Sequence, residues 1–400
     1  MKTVLRQKTI RTISFLNYNQ MLKSRIIESI KDVSEIDWNS CATSEKDGLN
    51  PFCSHGFLSA LEESGCVNAK TGWLPQHIIL DEDDKIIGVM PLYLKSHSQG
   101  EYVFDHGWAN AFEQAGGHYY PKLQSSIPFS PVTGPRLLSH NYDHKLMLLD
   151  AAINHAQNYH ISSIHFTFIN EVDFDVMAAR QLLHRQDQQF HWLNNDYKNF
   201  DDFLANLSSR KRKNIHKERQ KALDNGLEIE WICADQIKEH HWDCYFEFYM
   251  NTANRKWGRP YLNRNFFSLL SEKIPNDLLL IMAKREGRYI AGALNLIGNN
   301  ILYGRYWGAT EYHKYLHFEL CYYQAIDFAI KHNFSKVEAG AQGEHKIARG
   351  YVPCPTNSMH WIENPSFRDA VKKFLDQERK AVGREIEFLS EFTPFKKTSD

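Results

Sequence analysis

Two kinds of segment occur twice in this chain, in the same order. The segment DKIIGVMPLYL (84–94) aligns with RYIAGALNLIG (288–298), and both have the pattern of a strand that follows a charged turn. The segment AAINHAQNYHISSIHF (151–166) aligns with QAIDFAIKHNFSKVEA (324–339), and each has the pattern of an amphipathic helix that runs through a polar turn into a strand. The repeat predicts two copies of one mixed α/β unit, and chance likeness between generic helix and strand patterns is the alternative.

The two copies differ in length. The offset between them is 204 residues for the first pair of segments and 173 for the second, so the first copy holds 31 more residues between its hairpin and its helix. We therefore predict a first domain at 1–195 with a long insertion near 97–140, and a second domain at 196–400 that carries the chemistry. The insertion contains PFSPVTGPRLL (128–138), whose prolines would hold it rigid while it reaches across a cleft to the substrate.

Composition and charge exclude several classes of protein. The 400 residues include 47 basic and 48 acidic side chains, so the whole molecule does not attract nucleic acid or an anionic membrane, and any anion binding must be local. Seven cysteines without a CxxC motif indicate reduced thiols in a cytoplasmic protein. No apolar run approaches the roughly 20 residues that cross a bilayer, so we expect no membrane span. The basic first 27 residues favour a disordered terminus over an organellar transit peptide.

Two patterns bear on ion binding. His240 and Cys244 lie four apart on a predicted helix, as zinc ligands can, but no second ligand pair is spaced to complete a site, so we predict packing and no metal. The predicted helix from Arg210 to Lys221 carries seven Lys or Arg among twelve residues. Such a helix would bind an RNA backbone through charge, or it would be a solvated helix face.

Several motifs occur in an order that resembles a known family. They are PFCSHGFLSALEESGCV, GWLPQH, YYPKL, PFSPVTGPRLL, QFHWLNNDYKNFDDFLANLSSRKRKNIHKERQKA, YLNRNFF and GAQGEHKIARGYVP. Over roughly residues 30 to 390 the chain resembles the FemAB-like family, labelled peptidoglycan biosynthesis or recognition, or predicted N-acyltransferase. The resemblance implies two tandem domains of the GNAT (acyl-CoA N-acyltransferase) fold. An apolar stripe that includes Val371, Phe374 and Leu375 adds a C-terminal helix packed on the body.

The resemblance also implies an activity and a site. The better-known Fem enzymes transfer an amino acid from aminoacyl-tRNA to an amine on a peptidoglycan precursor. Lys213, Ile215 and Lys217 loosely match a basic R-x-x-I-x-K helix that opens the second domain of those enzymes. Lys346 matches a lysine that follows a strand and a glycine-bearing turn, and this match implies a place at the acceptor or transition-state site. Aminoacyl-tRNA is then a co-substrate, with the basic helix as its tRNA contact.

Acyl-CoA is the other co-substrate that the GNAT fold implies. Usual GNAT enzymes hold its pyrophosphate on backbone N–H groups of a glycine-rich turn, Q/R-x-x-G-x-G/A, at the start of the helix after the fourth strand. That place reads GATEYHKYLHFELCYYQ (308–324) in the second copy, with no glycine after the first residue, and SHNYDHKLMLLD (139–150) in the first copy. Side chains such as His313, Lys314 and His317 would have to supply the cations instead.

The candidate catalytic residues lie in GEHKIARGY (343–351), directly after a predicted buried strand. Acyl transfer to an amine passes through a tetrahedral oxyanion, which Lys346 or Arg349 would stabilise. Glu344 or His345 would take the proton from the attacking amine. The alternative is a solvated helix start whose glycines serve only the turn.

Candidate substrate-binding residues lie on the neighbouring strand YGRYWGA (303–309). Alternation places Tyr303, Arg305 and Trp307 on one face of this strand. An arginine between aromatic rings would bind a substrate carboxylate or phosphate, or it would be half-buried and paired with a structural acid. Glu338, at the end of the adjacent strand, is a candidate base or that acidic partner.

The loop NRKWGRPYLNRNFF (254–267) is a second candidate for substrate contact. It offers cationic and aromatic side chains, including Trp257 and Tyr261. Loops carry binding sites more often than cores do, so the composition suits a ligand wall, with surface packing as the alternative.

Together these features favour an N-acyltransferase or aminoacyltransferase that moves an activated acyl group to an amine, in connection with cell-wall peptides. The alternative is a non-catalytic protein that binds a small ligand or a cell-wall fragment. RNA binding as an end in itself is a third hypothesis, and it would use the helix from Arg210 to Lys221.

Overall fold

A computed structural model describes residues 13–17, 20–46, 48–224, 226–255, 260–340 and 343–396. The strands of these residues are β1 (Ile13–Asn17), β2 (Gln20–Ile27), β3 (Thr43–Ser44), β4 (Gly48–Leu49), β5 (Trp73–Pro75), β6 (His77–Glu82), β7 (Lys85–Met90), β8 (Tyr93–Lys95), β9 (Lys122–Ser125), β10 (Ser163–Ile169), β11 (Leu183–Leu193), β12 (Leu227–Cys233), β13 (Leu278–Arg285), β14 (Arg288–Ile297), β15 (Ile301–Ala309), β16 (Lys336–Glu338) and β17 (Val352–Ile362).

The α-helices of the same residues are α1 (Glu35–Ala42), α2 (His55–Glu63), α3 (His106–Gln114), α4 (Tyr142–Asn158), α5 (Glu171–Ala179), α6 (Phe200–Ala205), α7 (Ser209–Leu223), α8 (Glu239–Arg255), α9 (Arg264–Lys273), α10 (Leu316–Phe318), α11 (Gln324–Lys331) and α12 (Pro365–Ser390). A π-helix at Glu319–Tyr323 joins α10 to α11, and a 3-10 helix occupies Glu344–Arg349. None of the described helices has a stretch long and apolar enough to span a bilayer.

Asparagine caps explain where several of these helices begin. An asparagine side chain oxygen accepts a hydrogen bond from an otherwise free N–H group of the first turn, which stabilises a helix start by about 1 kcal/mol. The capping residues are Asn141 of α4, Asn170 of α5, Asn199 of α6, Asn263 of α9 and Asn364 of α12.

Eleven strands form one sheet in the order β12-β13-β14-β15-β16-β11-β17-β10-β9-β8-β5, and β1-β2-β6-β7 form a second sheet. Most neighbours are antiparallel, but β9 with β10 and β15 with β16 are parallel. A parallel pair needs a crossover, which α4 supplies between β9 and β10 and α11 supplies between β15 and β16. These two helix-and-strand units are the repeated segments of the sequence.

The last strand of each copy forms its hydrogen bonds with strands of the other copy. β11 lies between β16 and β17, and β17 lies between β11 and β10. His191 of β11 stands opposite Glu338 of β16, and His360 of β17 stands opposite His165 of β10. The two copies therefore share one sheet, and the predicted domain boundary at 195/196, which falls just after β11, stays a prediction.

Two described cations are buried inside the insertion, Lys122, which is paired with Glu101 and Asp105, and Arg136. Arg136 is fully buried, and its guanidinium donates hydrogen bonds of 2.7 to 3.2 Å to the carbonyl oxygens of Val132, Gly134, Pro135 and Thr167. Because a buried charge must be solvated by the protein, this arginine holds the segment 128–138 in one shape.

The C-terminal helix packs on the sheet as predicted, with one correction. Val371, Leu375 and Leu389 are buried against the body. Phe374, predicted to belong to that buried stripe, is 47% exposed because it faces a groove between α12 and α3 instead of the sheet.

Candidate functional site

The candidate site begins where β16 ends. Gly340, Gly343 and Gly350 have φ angles of 78°, 114° and 91°, in the region that glycine adopts without strain. These glycines let the chain turn sharply out of the sheet, into the 3-10 helix Glu344–Arg349, and onward to β17. The predicted helix start is present as this 3-10 helix, and residues 341–342 of the predicted turn lie outside the described residues.

Lys346 is the most deeply placed cation of this turn. Its side chain is buried, and Nζ donates hydrogen bonds of 2.7 Å to the carbonyl oxygen of Ala339 and 3.0 Å to that of Gly340. Burial lowers the pKa of Lys346 to about 7, against a raising effect of the Cys321 thiol and with a further lowering by Arg305. The amine can therefore change its charge near neutral pH.

Arg349 is bound to another helix. Its NH2 group lies 2.9 Å from both carboxylate oxygens of Glu218 in α7, and its NH1 group donates to the carbonyl oxygen of His345 at 2.6 Å. The guanidinium carbon lies 3.4 Å from the ring centre of Phe318. Tyr323 also donates to the Glu218 carboxylate. Arg349 thus fixes the 3-10 helix against α7.

His345 and Glu344 lie on the outer side of the turn, and both are exposed. The Nε2 atom of His345 is 2.9 Å from the hydroxyl oxygen of Tyr322. Partial burial, together with the charges of Arg349 and Lys346, holds the pKa of His345 below its usual value. The imidazole is therefore neutral near pH 7 and can accept a proton.

Arg305 is enclosed by the insertion and by β16. Its Nε atom donates to Ser130 Oγ at 2.9 Å, and its NH2 group lies 3.5 Å from Glu338 Oε2. The rings of Phe52 and Tyr303 contact each other edge to face, and their centres lie 5.0 and 5.4 Å from the guanidinium carbon. The side chain is only 3% exposed. Arg305 is thus paired with an acid of the protein, and its contact with a substrate stays a prediction.

Glu338 is the centre of a buried polar cluster. Its Oε1 atom lies 2.9 Å from Lys336 Nζ, while Oε2 has no hydrogen-bond partner among the described residues. Burial alone would raise the pKa of Glu338, but the Lys336 and Arg305 cations outweigh it, and the pKa is lowered. Burial also lowers the pKa of His191 to about 4, so the carboxylate is ionised and the imidazole neutral.

The remaining predicted contacts lie on both faces of β15, because a β-bulge opposite Ala293–Asn295 breaks the alternation that was predicted to place Tyr303 and Trp307 on one face. Tyr303 is buried against Phe52, and Trp307 is half-buried with its ring 5.2 Å from that of His317. Tyr261 is 39% exposed and stacks on Phe129 of the insertion at 4.8 Å. Trp257 lies outside the described residues. Tyr303 and Trp307 therefore share a strand with Arg305 but have different surroundings.

The inserted segment also joins the site. Besides the Ser130 contact, Tyr306 donates a hydrogen bond of 2.6 Å to the carbonyl oxygen of Phe129. Phe129 and Tyr102 of the insertion have φ angles of 61° and 60°, which are strained for these residues. The insertion of the first copy thus forms part of the wall around β15 in the second copy.

Four groups of the site were not predicted from sequence: Glu218, Tyr322, Tyr323 and His191. The first three lie on α7 and the π-helix, inside segments whose interpretation rested on other residues, the cations of α7 and the missing glycines. His191 had a signal, because FHWL (190–193) and MHWI (359–362) repeat one another at equivalent strand ends.

The basic helix α7 has one face turned inward and one turned outward. Arg219 is bound to Glu319 at 2.9 Å and to Asp327 at 2.8 Å, and Ile215 is buried. Exposed cations form the outward face, and they are Arg210, Lys213, Lys217 and Lys221. Residues three, four and four apart share one side of a helix, so these four charges form a stripe next to the site.

Comparisons with known proteins agree with this architecture. A sequence profile of the FemAB-like family, described as peptidoglycan biosynthesis/recognition, matches residues 29–397. No curated protein sequence matches the chain. FemX superposes with a TM-score of 0.54 at 13% identity, over 85% of this chain and 98% of FemX.

Two further solved structures are similar. A conserved protein of unknown function from Bacteroides thetaiotaomicron gives a TM-score of 0.53 at 11% identity, over 84% of this chain and 99% of that protein. The C-terminal domain (DUF2156) of a putative lysylphosphatidylglycerol synthetase from Agrobacterium fabrum gives 0.52 at 7% identity, over 86% and 97%. The likeness is one of fold, and it confirms the predicted mixed α/β architecture.

Proposed function

Because the chain belongs to the FemAB-like family, we propose that it is an N-acyltransferase or aminoacyltransferase that moves an activated acyl or aminoacyl group to an amine. The observation that carries this proposal is Lys346, a buried amine with a pKa of about 7 at the end of β16. Perturbed titratable groups of this kind cluster at reactive sites. The fold shared with FemX supports the same class of chemistry.

Lys346 is held in place before any substrate arrives. Its hydrogen bonds to Ala339 and Gly340 use two of the three positions on Nζ, and the third remains for a reacting group. A donor fixed in a site that excludes water stabilises developing charge more than one in bulk solvent, because little reorganisation is needed. We therefore assign to Lys346 the role of stabilising the oxyanion of the tetrahedral intermediate.

The reaction then follows from ordinary acyl transfer. The acceptor nitrogen attacks the carbonyl carbon, a C–N bond forms, and the carbonyl electron pair moves onto the oxygen beside the ammonium of Lys346. The proton of the acceptor nitrogen passes to the neutral His345. The bond to the leaving group breaks as the carbonyl re-forms, and the leaving oxygen or sulfur takes that proton from His345.

Arg349 acts indirectly in this scheme. Both of its terminal nitrogens are occupied, one by Glu218 and one by the carbonyl oxygen of His345. We assign it as a positioning residue that sets the orientation of the 3-10 helix, and hence of Lys346 and His345. The exposed Glu344 is the second candidate for the proton.

Aminoacyl-tRNA is the donor that the surface favours. The exposed stripe of Arg210, Lys213, Lys217 and Lys221 suits a polyanionic backbone, and Glu218 of the same helix contacts Arg349. For acyl-CoA, the glycine-rich turn is absent, and the replacement cation His313 lies 3.2 Å from Glu311. The stripe thus supports a nucleic-acid donor more than a pyrophosphate.

The test is a transfer assay with purified protein. One arm supplies tRNA charged with radiolabelled amino acids and the other supplies acyl-CoAs, each with a nucleotide-linked muropeptide as the amine acceptor. We expect the acceptor to gain the mass of an aminoacyl group in the first arm. Lys217→Glu should weaken that arm, whereas Lys70→Glu, a charge reversal on an exposed lysine of the first copy, should not. Ligand binding without any product would contradict the proposal and favour the non-catalytic alternative.

A further inference from the structure

The exposed side of α12 differs in composition from the rest of the surface. The most exposed phenylalanines of the described residues are Phe104, Phe374, Phe388 and Phe392, with exposed fractions of 63%, 47%, 58% and 55%. Phe374 and Phe388 lie on α12, Phe392 follows it, and Phe104 lines a groove together with Phe374. Scattered exposed apolar residues are ordinary, but a concentration along one helix marks an interaction surface.

The apolar side chains of α12 form a continuous stripe. At about 100° of rotation per residue, Ala370, Phe374, Ala381 and Phe388 fall within about 40° of one another around the helix axis. Phe374 and Phe388 are separated by about 21 Å along that axis, at 1.5 Å per residue. The stripe is distinct from the buried face, which contains Val371 and is directed at the sheet.

A cationic stripe runs directly beside the apolar one. By the same geometry Lys373, Lys380 and Arg384 also fall within about 40° of one another, on the solvent side of the phenylalanines, and all three are exposed. No acidic residue of α12 falls between the two stripes. Of the acids in this part of the helix, Asp376 and Glu378 are paired with other arginines. The exposed Asp369 and Glu387 flank the cationic stripe on the side away from the phenylalanines, and Lys373, Lys380 and Arg384 form no ion pair with a described residue.

A groove deepens the apolar stripe at its N-terminal end. It has a volume of about 840 Å³ and lies between α3 and α12. Phe104, Trp108 and Phe367 line it, and Gly107 and Ala111 of α3 leave the space open. The apolar surface therefore includes the lining of this groove as well as the exposed ring of Phe374.

We propose that α12 docks this protein on an anionic membrane surface. A helix that lies in the interface places aromatic side chains at the boundary of the acyl chains and cations among the headgroups, and the two adjoining stripes of α12 match that arrangement. Charge complementarity selects an anionic bilayer over a neutral one, because Lys373, Lys380 and Arg384 would lie among its headgroups when the phenylalanines insert. The proposal goes beyond the transfer reaction and does not depend on it.

The test measures sedimentation of the purified protein with vesicles of phosphatidylcholine alone or mixed with phosphatidylglycerol. We expect binding to the mixed vesicles only, and release at high salt. Each of Phe374→Ser and Phe388→Ser should weaken partitioning by about tenfold, since each removes a buried ring. Each of Lys373→Glu and Lys380→Glu should weaken it by at least about fivefold.

Matched control variants distinguish the two stripes of α12 from exposed apolar or basic residues elsewhere. Ile36→Ser removes an exposed apolar side chain of α1, and Lys372→Glu reverses a charge on the other side of α12, so both should bind vesicles like the wild type. Circular dichroism checks that each variant is folded. Absence of binding to mixed vesicles, or equal loss with Lys372→Glu and Lys373→Glu, would overturn the proposal. Loss with Lys217→Glu alone would place membrane binding on α7, and a Phe374-dependent dimer in light scattering would assign the face to a second copy.

Discussion

Arg349 lies 2.9 Å from both carboxylate oxygens of Glu218, and this pair joins the turn that carries Lys346 to the basic helix α7. The side chains are 8% and 18% exposed, so the pair is largely shielded from water. The helix that carries the outward cations is therefore fixed to the turn that carries the buried lysine. The two features that the sequence presents 130 residues apart form one structural unit.

Removal of this pair should destabilise the fold. Arg349→Ala leaves the Glu218 carboxylate without its cation, and we expect a loss of about 2 to 4 kcal/mol in the free energy of unfolding, measured with urea. Arg180→Ala is the matched control, because Arg180 also binds a carboxylate, Asp150, through two hydrogen bonds but at the surface. That variant should lose no more than about 1 kcal/mol. Equal losses would show that the Arg349 pair is not a structural anchor.

The buried amine of Lys346 should make stability depend on pH. Burial lowers its pKa from 10.5 to about 7, so between these values the unfolded chain binds a proton that the folded chain does not. The stability of the wild type relative to Lys346→Met should therefore rise as the pH increases from about 7 to about 10, with a slope of at most about 1.4 kcal/mol per pH unit. Urea unfolding of both proteins across this range measures it. Parallel curves would mean that the lysine has an ordinary pKa.

A second pH dependence of stability comes from a pair of histidines between β10 and β17. The Nδ1 atoms of His165 and His360 lie 2.7 Å apart, so one ring must donate a proton to the other. Burial lowers the pKa of His165 to about 3 and that of His360 well below its usual value, and both rings are neutral in the folded protein. Because the unfolded rings take up protons below about pH 6.5, stability should fall with acidification.

The variant His360→Leu should show a shallower fall in the free energy of unfolding between about pH 6.5 and pH 4, since it removes one of the two protonation sites. Its stability near pH 7 should also drop, because His165 loses its partner. An unchanged slope would indicate that other groups determine the acid sensitivity.

Gly308 permits a close approach of two elements. A Cβ atom at this position of β15 would lie 2.1 Å from the backbone oxygen of Phe248 in α8. We expect Gly308→Ala to cost at least about 2 kcal/mol in the free energy of unfolding. Gly383→Ala in α12 is the control, because a Cβ there meets no atom within 4 Å and alanine favours a helix by about 1 kcal/mol. A neutral Gly308→Ala would mean that α8 can shift away from the sheet.

The sequence predicts the repeated units well because their periodicity is local. α11 and β16 fall within their aligned segment, the other segment covers the second half of α4 and the start of β10, and the C-terminal helix is also where its pattern predicts it. The exchange of β11 and β17 was not predicted, since pairing between distant strands leaves no local pattern. The repeated His-Trp pairs at 191–192 and 360–361 are the one sequence trace of it.

Site residues were harder to predict than the fold. The glycines around GEHKIARGY indicated a turn, but the burial of Lys346 depends on contacts with Ala339 and Gly340 that no spacing rule describes. For Phe374 the sequence predicted burial that the structure does not show. It matches the apolar period of α12, yet it is exposed, because period alone does not tell which side of a helix has a neighbour.

The most direct test of the central claim is single-turnover transfer by Lys346 variants. We predict that Lys346→Met lowers the rate of acceptor labelling by at least about a hundredfold, the usual loss when one oxyanion donor is removed, while the thermal midpoint does not fall. Lys346→Arg, which keeps the charge, should recover part of the rate but lose the rate dependence near pH 7. Transfer by Lys346→Met at the wild-type rate would contradict the assignment of this lysine to the reaction.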